Sequence, residues 1–167
     1  MLVTNLSDRD RTWVRERTEL LFGGHMVVSG EVVHQPAELP GFICCEGSER
    51  VGLATFQVDG DSCELVTIDA LCQWCGVGSA LLEAVEKAAV AAGCTSLWTI
   101  TTNDNLDALR FFQRRGFVIR EVRTDTLRAI RELKPDLPEI GNYGIPLRDE
   151  VELSKALDAA GDGWRVV

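Results

Sequence analysis

Within a few residues the chain changes the period of its apolar positions, and no other feature limits the fold as strongly. The run Cys63–Leu71 is short, β-branched and strand-like, while from Val77 onward Val77, Leu81, Val85, Ala88 and Ala92 recur at helical spacing until Gly93. The junction reads Leu71-Cys72-Gln73-Trp74-Cys75-Gly76-Val77-Gly78-Ser79-Ala80. A strand that turns this abruptly into a long helix leaves the first-turn N–H groups without intrahelical acceptors, and the helix dipole favours negative charge there. Two glycines one residue apart let a ligand come close to that backbone, and a diphosphate is the natural guest. Glycines that serve only a tight turn would read the same way.

The remaining chain extends this βα unit on both sides. Ser7 and Asp8 are placed to cap a helix running to Phe22, with Trp13, Val14, Leu20 and Leu21 on one face and Gly23-Gly24 ending it. His25 to Pro40 reads as a loop, broken by Pro36 and Pro40. Gly41–Cys45, Val51–Val58 and Cys63–Leu71 form an antiparallel meander joined by turns at 46–50 and 59–62. After the long helix come a strand at Ser96–Thr102, a helix at Asn105–Arg115, a strand at Phe117–Val122, a helix at Thr124–Leu133 and a last strand at Glu150–Leu157. The expectation is an α/β (α+β) mixed sheet, parallel where a helix intervenes, in one domain spanning 1–167 with 158–167 as a loose tail.

Composition narrows the partners. With 26 Asp+Glu against 17 Lys+Arg the formal charge is −9, and no Lys/Arg cluster offers the basic footprint that a nucleic-acid binder needs. An acidic surface suits an amine-bearing partner, though it equally serves solubility. The first residues lack a basic and apolar leader, and no apolar run is long enough to span a bilayer. The expectation is a cytoplasmic protein whose six cysteines are thiols, most of them small buried hydrophobes. His25 and His34 read as solvated loop residues.

Gln73, Gly76 and Gly78 stand in the register Q/R-x-x-G-x-G/A at a strand-to-helix junction. Downstream, Asn105-Leu106-Asp107-Ala108-Leu109-Arg110-Phe111-Phe112 and then Gly116-Phe117 follow the form N-x-x-A-x-x-F-Y closed by G-F. In both blocks, from about Cys63 to Val122, the chain resembles the GNAT family of N-acetyltransferases. The resemblance implies a mixed, mostly antiparallel sheet flanked by helices, in which two neighbouring parallel strands splay apart and hold acetyl-CoA. Those strands would be Cys63–Leu71 and Ser96–Thr102. Backbone near Ile68 and Ala70 would pair with the pantetheine amides. Gln73, Trp74, Cys75, Gly76, Val77, Gly78 and Ser79 would hold the pyrophosphate, and Asn105, Ala108 and Phe112 would line the thiol end.

The implied reaction moves an acetyl group to a primary amine of a small molecule or peptide, with no metal. It needs a base for the amine, donors for the thioester carbonyl and a place for the leaving thiolate. The resemblance suggests Glu64 as base; alternation puts it on the face of Val66 and Ile68, with Asp69 facing the other way. An exposed charge at a strand start is the plain alternative. The family's tyrosine acid is replaced by Phe112, which has no proton to give, and the single tyrosine, Tyr143, falls outside the motif. A thiol pKa near 8.5 makes coenzyme A a tolerable leaving group without it. The acceptor would lie against the unpatterned segments Trp13–Pro40 and Leu133–Leu157, with Trp13, Met26, Val27 and Val28 as lining candidates. A homodimer is an open assembly state.

Two other readings compete, and two more fail on the residues present. An acyl-CoA-binding or sensing module would share the cofactor site without catalysis. Cys72-Gln73-Trp74-Cys75 at a helix start also suits a thiol–disulfide oxidoreductase, but no proline lies between Pro40 and Pro135 to sit opposite it. A structural zinc site lacks a second ligand pair, and a Rossmann fingerprint would need Gly or Ala where Leu81 stands.

Overall fold

The period switch at Gly76 is the hinge of the architecture. In the computed structural model, which describes residues 1–72 and 74–157, the meander strands β4 (Gly41–Glu46), β5 (Glu49–Asp59) and β6 (Ser62–Ala70) feed helix α2 (Val77–Ala91). They are preceded by β1 (Leu2–Asn5), α1 (Arg11–Phe22), β2 (Val27–Ser29) and β3 (Val32–His34). After α2 come β7 (Ser96–Thr102), α3 (Leu106–Gln113), β8 (Val118–Arg123), α4 (Thr126–Leu133) and β9 (Glu150–Ala156). The expected tail at 158–167 and the site residue Gln73 lie outside the described residues.

One seven-stranded sheet runs in the order β1-β4-β5-β6-β7-β9-β8. Its pairings are antiparallel except for β6 with β7, where α2 makes the crossover. One face carries α2 and α3 over a core of Cys44, Ala54, Leu65, Leu81, Val85 and Leu153, all nearly inaccessible. The other face carries α1 over Val14, Ala37, Ile43 and Leu53.

Two segments escaped the sequence reading. β1 pairs with β4 along Leu2–Asn5, a strand too short and too mixed in polarity to stand out. The expected loop at 25–40 contains the hairpin β2–β3, whose strands are three residues each. A hairpin this small is not stable by itself; it exists because Val27, Ser29 and His34 are buried. In α1 the buried positions are Val14 and Thr18, while Leu20 and Leu21 are exposed, so the expected apolar stripe does not all face the core.

A bulge in β6 reassigns its faces. Thr55 pairs with Thr67 and Phe56 with Leu65, which leaves Val66 as an extra residue. Cys63 and Leu65 lie in the α2-side core before the bulge, and Ile68 and Ala70 pack against that core after it. Glu64 therefore does not share the face of Ile68. It shares the α1 side with Thr67, bonded to Thr55, and with Asp69, bonded to Arg17 of α1.

Candidate active site

The sheet opens between β6 and β7. The parallel register holds at Ser62–Ser96, Cys63–Leu97 and Glu64–Trp98 and then stops, although β6 continues to Ala70 and β7 to Thr102. Thr99 Oγ1 donates to the Leu65 carbonyl at 2.9 Å across the crotch of this fork. Among the described residues the edge of β6 facing β7 thus has no strand partner beyond Glu64, and a cavity of about 800 Å³ lies against the end of β6, the start of α2 and α3. Ile68, Ala70, Gly78, Asn105, Ala108 and Phe112 all line it. The two sequence blocks, some thirty residues apart in the chain, converge on one cleft.

The turn before α2 closes one end of that cleft. Trp74 and Gly76 both have left-handed backbone, at φ 64° and 83°, and Gly76 is the N-cap. Ala80 N–H bonds to the Gly76 carbonyl, and among the described residues no carbonyl pairs with the amides of Val77, Gly78 and Ser79, three residues that line the cleft. A Cβ on Gly78 would stand 3.1 Å from the Phe111 ring, so a side chain there would fill the space beside the helix start. Cys72 and Cys75, expected as thiols, are joined as a disulfide across this turn. Cys44, Cys63 and Cys94 are buried free thiols, and burial pushes Cys63 up to about 12.

Charge for a diphosphate comes from a source the sequence reading passed over. Arg110, Arg114 and Arg115, on α3 and at its end, line the same cleft, so the site does not depend on backbone amides alone. Arg110 lies over the Trp74 ring at 4.9 Å. Arg115 lies 3.8 Å over Phe111 and donates to Ser79 Oγ at 2.5 Å. Burial, then the neighbouring Arg114, lowers the Arg115 pKa. The helical spacing of Arg110 and Arg114 on the helix that carries Asn105 as its cap was the available signal. Asn105 Oδ1 accepts from Ala108 N–H at 3.2 Å, which fixes the start of α3 against the cleft.

A second cavity, of about 780 Å³, lies on the α1 side between the ends of α1, β2, α4 and the 135–147 segment. The two cavities share Leu21, Asn105 and Asn142. Met26, Val27 and Val28 line the second one, whereas Trp13 packs beside Val14 under Arg50 and does not. Glu64 lines neither cavity. It is buried, accepting from Ser29 Oγ at 2.5 Å, and its Oε2 stands 3.1 Å from His34 Nε2 without the alignment of a hydrogen bond. His34, expected in solvent, is 4% exposed and forms with Ser29 the underside of the hairpin.

Comparison with known proteins decides the family. The model of the acetyltransferase (GNAT) family matches residues 5–117, two thirds of the chain. The chain belongs to the GNAT acetyltransferases. It is 40% identical over 122 residues to the uncharacterized protein YdhI of Bacillus subtilis, covering 72% of this chain and 76% of that one. Among solved structures it resembles an IAA acetyltransferase from Bacillus cereus, with TM-score 0.72, 20% identity and coverage of 93% and 99%. It also resembles a GNAT family acetyltransferase from Elizabethkingia anophelis with acetyl-CoA bound, with TM-score 0.61, 22% identity and coverage of 80% and 96%. Neighbours of this kind carry acetyl-CoA or CoA, and the fork, the helix start and the arginines here fit a thioester arm with a phosphate head.

This GNAT chain buries Phe112 to 2% exposure, its ring edge-on to Phe111 and tilted against Phe117. Tyr143, which the sequence motif does not include, comes to the start of α3, where its hydroxyl donates to Asp107 Oδ2 at 2.6 Å. That bond raises the Tyr143 pKa. No group of His, Cys, Asp and Glu with the geometry of a metal site occurs among the described residues. No helix among them is long and apolar enough to cross a membrane.

Proposed function

We propose that this GNAT acetyltransferase transfers the acetyl group of acetyl-CoA to the primary amine of a small molecule or peptide. The observation that carries the reading is the meeting of two cavities at Leu21, Asn105 and Asn142, beside the open strand edge. The open strand edge and the arginines suit the first cavity to the co-substrate; the second reaches the shared residues from the α1 side, with a wall of mixed apolar and polar residues.

The β6 backbone around Ile68 and Ala70 pairs with the pantetheine amides in the place a strand neighbour would take. The turn Trp74–Gly76 and the amides of Val77, Gly78 and Ser79 hold the pyrophosphate, with Arg110, Arg114 and Arg115 balancing its charge. Gln73 belongs to this set by the family motif. Asn105, Ala108 and Phe112 border the thiol end. Acetyl-CoA supplies the activated acyl group: a C–N bond forms, the C–S bond breaks, and the amine's proton leaves as the thiol gains one. Phe112 offers no proton, so the thiolate is protonated from water or leaves as such, which its low basicity tolerates.

Glu64 enters this proposal from behind the acceptor cavity. Held by Ser29 and beside His34, its carboxylate acts on the amine's proton only through a relay, and its direct effect is to fix the hairpin that roofs the cavity. Thiol release from acetyl-CoA, screened over small amines, amino acids, polyamines and peptides, tests the reading. Amine-dependent release supports it. Acetyl-CoA binding with no release from any amine replaces it with the acyl-CoA-binding module that Phe112 would also suit, and no binding removes both.

A further inference from the structure

Glu150 is a buried carboxylate on the floor of the acceptor cavity with an oxygen left over, whereas Asp136, which lines the same cavity, is exposed to solvent. Glu150 is 2% exposed and lines that cavity. Its Oε1 accepts from Gly30 N–H at 3.3 Å, while Oε2 is buried and meets no donor among the described residues. A buried carboxylate oxygen without a donor is costly, on the order of 1–3 kcal/mol or more, so its place in a cavity is informative. Strand alternation sends Val151 and Leu153 into the α2-side core and Glu150 to the opposite face, level with Thr102 at the open end of β7.

The surrounding charges leave a surplus of negative charge. Arg123 is the cation of this group: its Nη2 pairs with Glu152 and with Glu121 at 2.9 Å, its Nη1 is buried without a partner among the described residues, and Glu150 is a weaker electrostatic neighbour. Three carboxylates therefore face one guanidinium. Lys134, across the cavity, is committed to the carbonyls of Phe22 and Met26. Asp104 is likewise occupied by Thr102 and by Asn142. Apolar members of the same cavity wall are Val28, Val66, Ile100, Leu127, Ile130 and Leu147, with Thr101 and Thr102 among its polar ones.

From this we infer that Glu150 Oε2 anchors a cationic or N–H donor group of the acceptor, and that the acceptor is an amine with an apolar body rather than a polyamine or a sugar. The inference rests on the proposed acetyl transfer for the meaning of "acceptor", but the binding it specifies is separable from turnover. A desolvated charge-assisted bond explains both the burial and the free oxygen, and the aliphatic walls supply the remaining affinity.

The test uses the full chain with CoA present and measures binding by calorimetry, with phenethylamine and hexylamine as probes, spermidine as the polar comparator and 2-phenylethanol as the uncharged one. Wild-type protein is expected to bind the two apolar amines more tightly than spermidine. Glu150→Gln should weaken phenethylamine about 10- to 100-fold while leaving 2-phenylethanol and CoA affinities unchanged. Glu150→Asp, which keeps the charge and withdraws it, should fall between them and carries the test if Glu150→Gln does not fold. Equal amine affinity in wild type and the folded variant, or no preference for apolar amines, overturns the inference. Intact CoA binding in that case leaves the proposed function standing, and its loss in wild type refutes that function instead.

Discussion

The two faces of the sheet around the β6–β7 fork are built on different terms. On the α2–α3 side the cofactor cleft is made from contiguous blocks, Leu71–Ala80 and Asn105–Phe117, each of which shapes its own part of the wall. On the α1 side the second cavity draws on α1, the hairpin, α4, the 135–147 segment and β9, none with a repeated pattern. The first cleft is lined by a helix start and by arginines on and just after α3, which are features of local structure. The second cavity is lined by segments far apart in the chain that pack together.

The largest effect should separate the faces through stability. Glu64→Ala strips Ser29 and His34 of their buried partner and should cost about 3 kcal/mol, while the isosteric Glu64→Gln should cost about 1 kcal/mol. Urea denaturation measures both, and an unchanged midpoint for Glu64→Ala would mean the hairpin is held by its apolar contacts alone. Next, Gly78→Val pushes a side chain into the Phe111 ring beside the amides of α2. Acetyl-CoA affinity should drop about 100-fold with amine affinity retained; calorimetry on both ligands shows whether the faces are as independent as their construction suggests.

Smaller effects probe the chemistry where the faces meet. Phe112→Tyr returns a hydroxyl to the thiol end, and turnover in the thiol-release assay should rise several-fold, up to about tenfold, with acetyl-CoA affinity unchanged. No gain with binding intact would place the proton route elsewhere. Smallest of all, Cys72→Ser combined with Cys75→Ser should shift acetyl-CoA affinity by less than about threefold, because the turn is set by Trp74 and Gly76 and the phosphate by amides and arginines. Loss of a reductant-dependent disulfide-exchange activity in that double variant would instead favour the oxidoreductase reading of the pair.

Most of the regular elements from β4 to β9 are legible in the sequence, since each is long enough for its period to show; Ser96–Thr102 is bounded identically in both. β1 and the β2–β3 hairpin are not, because segments of three or four residues carry no resolvable period and owe their form to the sheet beneath. Glu64 shows a subtler limit. Alternation counted along β6 assigns it the face of Ile68, and the single extra residue at Val66 reverses that assignment. Nothing local in Leu65-Val66-Thr67 marks the bulge, which is set by the register against Thr55 and Phe56. His34 looked solvated for the same reason: its partner is thirty residues away in the chain.

By itself the sequence determined the local framework of the first cleft. A strand-to-helix turn with Gly76 and Gly78, and a capped helix ending in Gly116-Phe117, are short-range patterns whose geometry follows from backbone sterics and helix termini. Only the tertiary structure decided the rest: that Glu64 is sequestered with His34 and Ser29, that Arg110 of α3 and Arg114 and Arg115 beyond its end line the first cleft, and that Glu150 lies buried in the second cavity. Those outcomes depend on which distant segments roof which face, and a chain's local periods carry no record of what packs above them.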